Sequence, residues 1–277
     1  MILFNDTNSF FNFFQIFKSM TFHYKNKQIN CETFGKGSAI VLLHGFLESA
    51  TMWKFLLPQL SKQNTVITID FPGHGKSEIV SEIHSMELMA EVVDEILKKL
   101  EIASATFIGH SMGGYVALAC AELFPKKVEK LILLNSTPAA DSEEKKENRN
   151  RAIKVIDQNP KAFISMAIRN LFAENSREKF SSEIQKLKTE ALSFPIEGIK
   201  AAIKGMRNRK NRTTILKNFN NEKYIILAED DPFLPIEETQ KLAESCGAKV
   251  IIIEGSHMST VENFETVSEN FRLILKG

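Results

Sequence analysis

The chain has 277 residues, 43% hydrophobic and 25% charged, which suits one substantial core, or a core carrying an inserted subdomain, better than two independent domains. Its 35 basic residues almost cancel the 34 acidic ones, so no net field draws it to nucleic acid or to an anionic membrane, and a small-molecule partner is the default. The three cysteines, Cys31, Cys120 and Cys246, are odd in number and form no CxxC pair; this argues against a disulfide framework or a zinc site and fits a reducing cytoplasm.

The Phe-rich opening from Met1 to Phe17 lacks a basic n-region and an unbroken apolar stretch, so it does not read as a signal peptide. No apolar run in the chain approaches the length of a membrane span. Regular patterning begins with the strand-like TFHY after Met20, so residues 1–19 are expected to be a poorly ordered extension. From Gln28 onward, short β-rich runs alternate with helix-period segments, the pattern of a mostly parallel sheet with helices on both faces, and the expected fold class is α/β. The expected strands include Ala39–His44, Thr65–Asp70, Thr106–His110 and Lys130–Asn135, followed late in the chain by YIILAE and KVIIIE. Between them, Met86, Met89, Val93, Ile96, Leu97 and Leu100 recur at spacings of three and four, predicting an amphipathic helix whose stripe is core.

After Asn135 about eighty residues show no strand pattern, which implies an inserted helical cap over residues 138–212 between core segments 20–137 and 213–277. Its opening, DSEEKKENRNR, reads as a solvated helix face. Phe163, Ile164, Ala167, Ile168, Leu171 and Phe172 give its later part an apolar face, and Pro160 and Pro195 should divide it into short helices.

The chemistry centres on Gly109-His110-Ser111-Met112-Gly113, a G-x-S-x-G motif between a strand pattern and a helix pattern. A nucleophile on such a turn sits in a strained backbone conformation, and the following helix N-terminus turns its free N–H groups towards the serine oxygen. A serine hydroxyl needs a base near pH 7, and histidine suits that role. Of the six histidines, His23 and His84 lie outside promising turns, His110 flanks the serine but should point away from it, and His44 and His74 follow early strands. His257, in the turn after KVIIIE, can reach the same sheet edge as Ser111 and is the expected base. The orienting carboxylate should come from Glu229, Asp230 or Asp231; the rigid turn made by Pro232 and Pro235 favours Asp231 and leaves its two neighbours open as alternatives.

With LLHGF, DFPGHGKS, GHSMGG, AEDDPFLP and GSHMS in this order, the sequence from about Gln28 to the C-terminus resembles the α/β-hydrolase superfamily, in particular its esterase-like serine hydrolases with a helical cap. The resemblance implies Ser111, Asp231 and His257 as a catalytic triad and the backbone N–H groups of Phe46 and Met112 as oxyanion donors. It further implies that Gly73, Gly75 and Ser77 only shape a loop, and that no metal or organic cofactor is needed. Ala228 replaces a glycine usual three residues before the acid. A serine at position 111 argues against haloalkane dehalogenases and epoxide hydrolases, which carry aspartate there, and Met258 replaces the Trp common in C–C bond hydrolases. Trp53 reads as a packing residue. The expected function is hydrolysis of a small or medium acyl ester by a monomer or dimer. Rival readings are a C–C bond hydrolase or lyase, needing a pocket-facing arginine such as Arg169, and a non-catalytic ligand receptor that kept the triad.

Overall fold

Runs such as Ile40-Val41-Leu42-Leu43 and Leu131-Ile132-Leu133-Leu134 have no polar face, so they are stable only where both sides of a sheet are covered. In the computed structural model, which describes residues 18–276, they lie in the middle of an eight-stranded sheet. Strands β1 (Lys18–Tyr24) and β2 (Lys27–Phe34) form an antiparallel hairpin turned by Lys25 and Asn26, both at positive φ, as a tight two-residue connection requires. They are followed by β3 (Ser38–Leu43), β4 (Asn64–Ile69), β5 (Ala105–His110), β6 (Val128–Leu134), β7 (Lys223–Ala228) and β8 (Lys249–Ile253). The spatial order is β1-β2-β4-β3-β5-β6-β7-β8, antiparallel through the β2–β4 pair and parallel from there on.

The expected N-terminal extension lies outside the described residues except for Lys18 and Ser19, which already belong to β1 by pairing with Thr33 and Glu32. That pairing, invisible in the sequence before Met20, starts β1 two residues earlier than the regular pattern suggests.

Among the described residues there are eleven α-helices. Those flanking the early strands are α1 (Leu57–Leu60), α2 (Met86–Lys99) and α3 (Met112–Leu123). Between β6 and β7 come α4 (Glu143–Gln158), α5 (Pro160–Asn170), α6 (Ser181–Ala191), α7 (Ile196–Arg207) and α8 (Thr213–Asn218). The chain closes with α9 (Ile236–Ser245), α10 (Ser259–Glu262) and α11 (Phe264–Lys276). Alternate side chains of each strand serve opposite faces. Val41 and Leu43 join the core under α2 and α3, while Ile40 and Leu42 pack with Trp53, α1 and α11. The Met86-to-Leu97 stripe is buried, and the Ser85 hydroxyl caps α2 by accepting from the Leu88 N–H.

The segment between β6 and β7 contains no strand. Its charged opening forms α4, whose one fully buried side chain is Ile156. Pro160 stands in the first turn of α5, where its missing N–H costs nothing and Asn159 caps the helix, and Pro195 immediately precedes α7. The exit from this segment is anchored by Arg212, which is buried, donates to Glu122 at 2.9 Å and Glu87 at 2.6 Å, and so joins α8 to α3 and α2. Breaking a buried ion pair from one side costs about 3–5 kcal/mol. Both glutamates keep partial access to water, so Arg212→Met is expected to lower unfolding stability in urea by about 2 kcal/mol. An unchanged midpoint would mean that the segment is anchored elsewhere.

Candidate active site

Strand β5 ends at His110 and α3 begins at Met112, leaving Ser111 alone in the turn with φ 50° and ψ −115°. A residue bearing a side chain rarely adopts this conformation, and it persists only where its surroundings enforce it. The enforcement comes from the backbone. Ser111 N–H donates to the Leu134 carbonyl at 2.9 Å, and its own carbonyl accepts from Ser136 Oγ at 2.8 Å and Gly114 N–H at 3.0 Å. The helix can start this close to the sheet because position 113 is glycine: a Cβ there would run into the Leu43 carbonyl oxygen. Ser111 is partly exposed, and its hydroxyl has no hydrogen-bond partner among the described residues. In a free enzyme the nucleophile contact is often open and closes only on substrate. Met112, as the first residue of α3, has an N–H with no intrahelical partner at the positive end of the helix.

His257 lies between β8 and α10, with Nδ1 2.7 Å from Asp231 Oδ2. The other Asp231 oxygen accepts the Phe233 N–H at 2.8 Å, so both oxygens are committed and the carboxylate cannot rotate away. Asp231 is buried, whereas Glu229 and Asp230 are exposed; the geometry selects Asp231 from the acidic triplet. With Nδ1–H given to Asp231, the free nitrogen of His257 is Nε2. The ring of His257 lies 4.9 Å from that of His110, the residue before Ser111, which brings His257 and Ser111 into one neighbourhood. Phe233 meets the His257 ring edge-on at 4.9 Å and is 43% exposed.

The loop after β3 carries Phe46. His44 Nε2 accepts the Phe71 N–H at 2.9 Å, which leaves the ring proton on Nδ1, and this donates to the Gly45 carbonyl at 2.7 Å. Burial pushes His44 below the ordinary histidine range, in keeping with that neutral tautomer. The Gly45 N–H donates to Glu48 at 2.7 Å. Glu48 is also 3.1 Å from His110 Nδ1, and His110 Nε2 is 2.8 Å from the His257 carbonyl. Burial alone would raise the Glu48 carboxyl and lower His110, but their mutual attraction wins: Glu48 is held below and His110 above its usual range.

The remaining histidines are placed differently. His74 is buried against Phe46 and Phe194 and pushed down to about 3 by burial and by His44; His84 is pushed down to about 4 by burial; His23 is exposed. Gly73 and Gly75 take positive φ around the buried Asp70, which accepts from Asn30, Ala50 and Lys76, while Ser77 donates to the Asp70 carbonyl. Trp53 is fully buried, and Arg169 is exposed. Among the described residues no group of three or more His, Cys, Asp or Glu side chains is arranged to hold a metal ion.

Sequence reasoning missed four contributors. Asn135, at φ 48°, donates to the carbonyls of Ser256 and His257 and to Ser259, and its oxygen accepts from Ala228 N–H at 2.9 Å. It thereby ties β6 and β7 to the histidine loop, and an Asn closing an apolar strand was the available signal. Glu48 carries no motif that distinguishes it from a loop carboxylate. His110 was expected to point away from the serine, but its partners on both sides could not be seen. Glu190 of α6 accepts from Ser49 at 2.6 Å and Thr51 at 2.8 Å, a contact 139 or more residues apart in sequence. Because Asn135 satisfies several buried groups at once, Asn135→Leu should cost on the order of 3 kcal/mol in urea unfolding. A loss below about 1 kcal/mol would show that water replaces it.

Comparisons with known proteins agree with this architecture. A family model described as alpha/beta hydrolase fold matches residues 38–264. The acetyltransferase component of the acetoin cleaving system of Pseudomonas putida is 27% identical over 87% of this chain and 64% of its own length. The pimeloyl-[acyl-carrier protein] methyl ester esterase of Photobacterium profundum is 40% identical over 39% of this chain and 40% of its own. The chain therefore spans less than two thirds of these curated relatives. Among solved structures, a thermophilic esterase from Thermogutta terrifontis superposes with a TM-score of 0.87 at 28% identity, covering 94% of this chain and 98% of that one. The enol-lactonase of Burkholderia xenovorans LB400 reaches the same TM-score at 20% identity over 93% and 100%, a likeness of fold. A family match over most of the chain, on a sheet of this order with a serine in the strained turn after β5, makes the chain a member of the α/β-hydrolase fold family.

Proposed function

We propose that the protein is a serine-dependent carboxylesterase that hydrolyses a small or medium acyl ester through an acyl-enzyme. The observation that carries this reading is the buried Asp231–His257 pair, whose imidazole packs on His110, next in sequence to a serine held at positive φ at the head of a helix. His257 Nε2 takes the proton as Ser111 Oγ attacks the ester carbonyl. The N–H groups of Phe46 and Met112 hold the negative oxygen of the tetrahedral intermediate. Collapse expels the alcohol, which receives its proton from His257. Water, deprotonated by the same nitrogen, then attacks the acyl-enzyme, and the second collapse returns the proton to Ser111 and frees the acid. Asp231 keeps the proton on Nδ1 throughout and stabilises the imidazolium that forms twice per cycle. No metal or organic cofactor enters these steps.

Residues 138–212 are assigned as a cap on a core of 20–137 and 213–277. In support, the Leu171 carbonyl accepts from Met258 N–H at 3.1 Å and Ser256 Oγ at 2.9 Å, beside the base, while Glu190 holds Ser49 and Thr51 behind the oxyanion loop. Phe46, Phe194 and Phe233 around the site favour an uncharged acyl group. A relative named as a methyl ester esterase and a structural neighbour named as an esterase point the same way. Arg169, the arginine named for the C–C bond hydrolase reading, is exposed, which favours the esterase reading. No helix among the described residues is long and apolar enough to cross a membrane, and the buried free thiols of Cys31, Cys120 and Cys246 favour a reducing compartment such as the cytoplasm.

The test is hydrolysis of p-nitrophenyl esters of graded chain length by the wild type, Ser111→Ala, Asp230→Asn and Asp231→Asn. Turnover should fall off for long chains and vanish in Ser111→Ala. Asp231→Asn is expected to lower kcat by up to about 10⁴-fold, through loss of the correct tautomer, while Asp230→Asn stays near wild type. Equal turnover by the wild type and Ser111→Ala would remove Ser111 from the mechanism, and a wild type inert on all esters would remove the esterase reading.

A further inference from the structure

Behind the proposed triad lies a buried charged pair that the reaction scheme does not use. Glu48 and His110 are 1% and 0% exposed, and each has more partners than packing alone requires. Both nitrogens of the His110 ring face oxygens: Glu48 Oε2 at 3.1 Å and the His257 carbonyl at 2.8 Å. A carbonyl oxygen can only accept. Glu48 Oε2 accepts the Gly45 N–H as well, at 2.7 Å, as an ionised carboxylate oxygen does. Two accepting neighbours call for a proton on each ring nitrogen, so His110 is an imidazolium and Glu48 its counter-ion. The directions in which their titrations are displaced agree with this assignment.

We propose that Glu48 and His110 are positioning residues whose ion pair fixes the oxyanion loop and the base-bearing loop relative to each other. The proposal rests on the esterase reading for its kinetic consequence. At one end, Glu48 holds the Gly45 N–H while His44 holds the Gly45 carbonyl, so both peptide groups of Gly45, the second of which presents the Phe46 N–H, are held in place. Gly45 has to be glycine for the carboxylate to come this near, because a Cβ would meet Glu48 Oε2 at 2.7 Å and His110 Nδ1 at 2.9 Å. At the other end, His110 and Asn135 share the carbonyl of His257 itself. The chain from Gly45 through Glu48 and His110 to His257 therefore spans the two parts that must converge on one carbonyl carbon, and small misplacements there are costly in rate.

The charge also matters. A cation 4.9 Å from the His257 ring would oppose the imidazolium formed during acyl transfer unless a carboxylate neutralised it, and Glu48 does so. Replacing Glu48 by Gln leaves two outcomes: His110 keeps its proton as an uncompensated cation, or it sheds the proton and loses one of its two contacts. Either disturbs the base. Ion pairs buried this deeply seldom add net stability, and a role in fixing geometry accounts for keeping one here.

The test combines kinetics with a measurement independent of turnover. With p-nitrophenyl acetate, Glu48→Gln and His110→Gln should each lower kcat about 10- to 100-fold, with KM within about threefold of wild type, as expected for groups acting on transition-state geometry. The double variant should lose no more than the worse single variant, since the two act as one unit. Circular dichroism establishes that each variant is folded, and Glu48→Asp, too short to reach both partners, takes the place of Glu48→Gln under the same criteria if that variant is not. Unchanged kcat in folded single variants, or a double variant whose loss is the product of the two, overturns the proposal. Separately, in the wild type labelled with ¹⁵N-histidine at about pH 7.5, where an ordinary histidine is neutral, His110 should show two protonated ring nitrogens. A singly protonated His110 overturns the ion pair. A wild type that turns over no ester while His110 is doubly protonated overturns the esterase reading and leaves the pair standing.

Discussion

A serine held at φ 50° between a buried strand and a helix that begins at the next residue is the constraint on which the rest of the site depends. Such a conformation is unfavourable by itself, by an amount of order 1–3 kcal/mol, and survives only because its neighbours over-determine it. The Leu134 carbonyl, Ser136 and Gly114 hold the Ser111 peptide groups, and the end of β3 presses on Gly113. These are contacts among β3, β5, β6 and α3, so Ser111 is placed by the most deeply buried part of the molecule. The loops on either side then need only be oriented relative to it.

Those loops are oriented by polar side chains that packing alone would not call for. Asn135 reaches across from β6 to hold the histidine loop, and the Glu48–His110 pair spans from the loop after β3 to the same His257 carbonyl. The helices between β6 and β7 add a third layer, with Leu171 bonded to Ser256 and Met258 and Glu190 bonded to Ser49 and Thr51. A movement of α6 is thus felt at the loop after β3, and one of the Leu171 turn at the loop that carries His257.

How much of this could be read from the sequence follows from how local each determinant is. Strands β3 to β8 are apolar runs closed by His, Asn or acidic residues, and their positions differ from expectation by no more than two residues, since such a run is legible in composition alone. Ser111 and His257 each follow such a run, which is why they stood out. Asp231 needed the structure: Glu229, Asp230 and Asp231 are chemically alike, and only the turn at Pro232 shows which one faces inward. The early start of β1 was hidden because it depends on pairing with Thr33 and Glu32 rather than on its own residues. Glu48 and His110 were hidden for the same reason. Sixty-two residues separate them, and nothing local tells a buried loop glutamate from a solvated one.

The six histidines show how environment, not residue type, assigns chemistry. His44, His74 and His84 are buried without an adjacent carboxylate bonded to the ring, and burial drives all three towards the neutral form. His44 can therefore use one nitrogen as acceptor and the other as donor, which orienting the Gly45 peptide requires. His110 is as deeply buried, yet Glu48 reverses the outcome, because a carboxylate in bonding contact outweighs the loss of solvation. His257 differs from all of these. One nitrogen is bound to a carboxylate whose other oxygen is also held, and the second nitrogen has no hydrogen-bond partner among the described residues. A ring so divided is oriented without being used up, which leaves it able to take a proton and give it back.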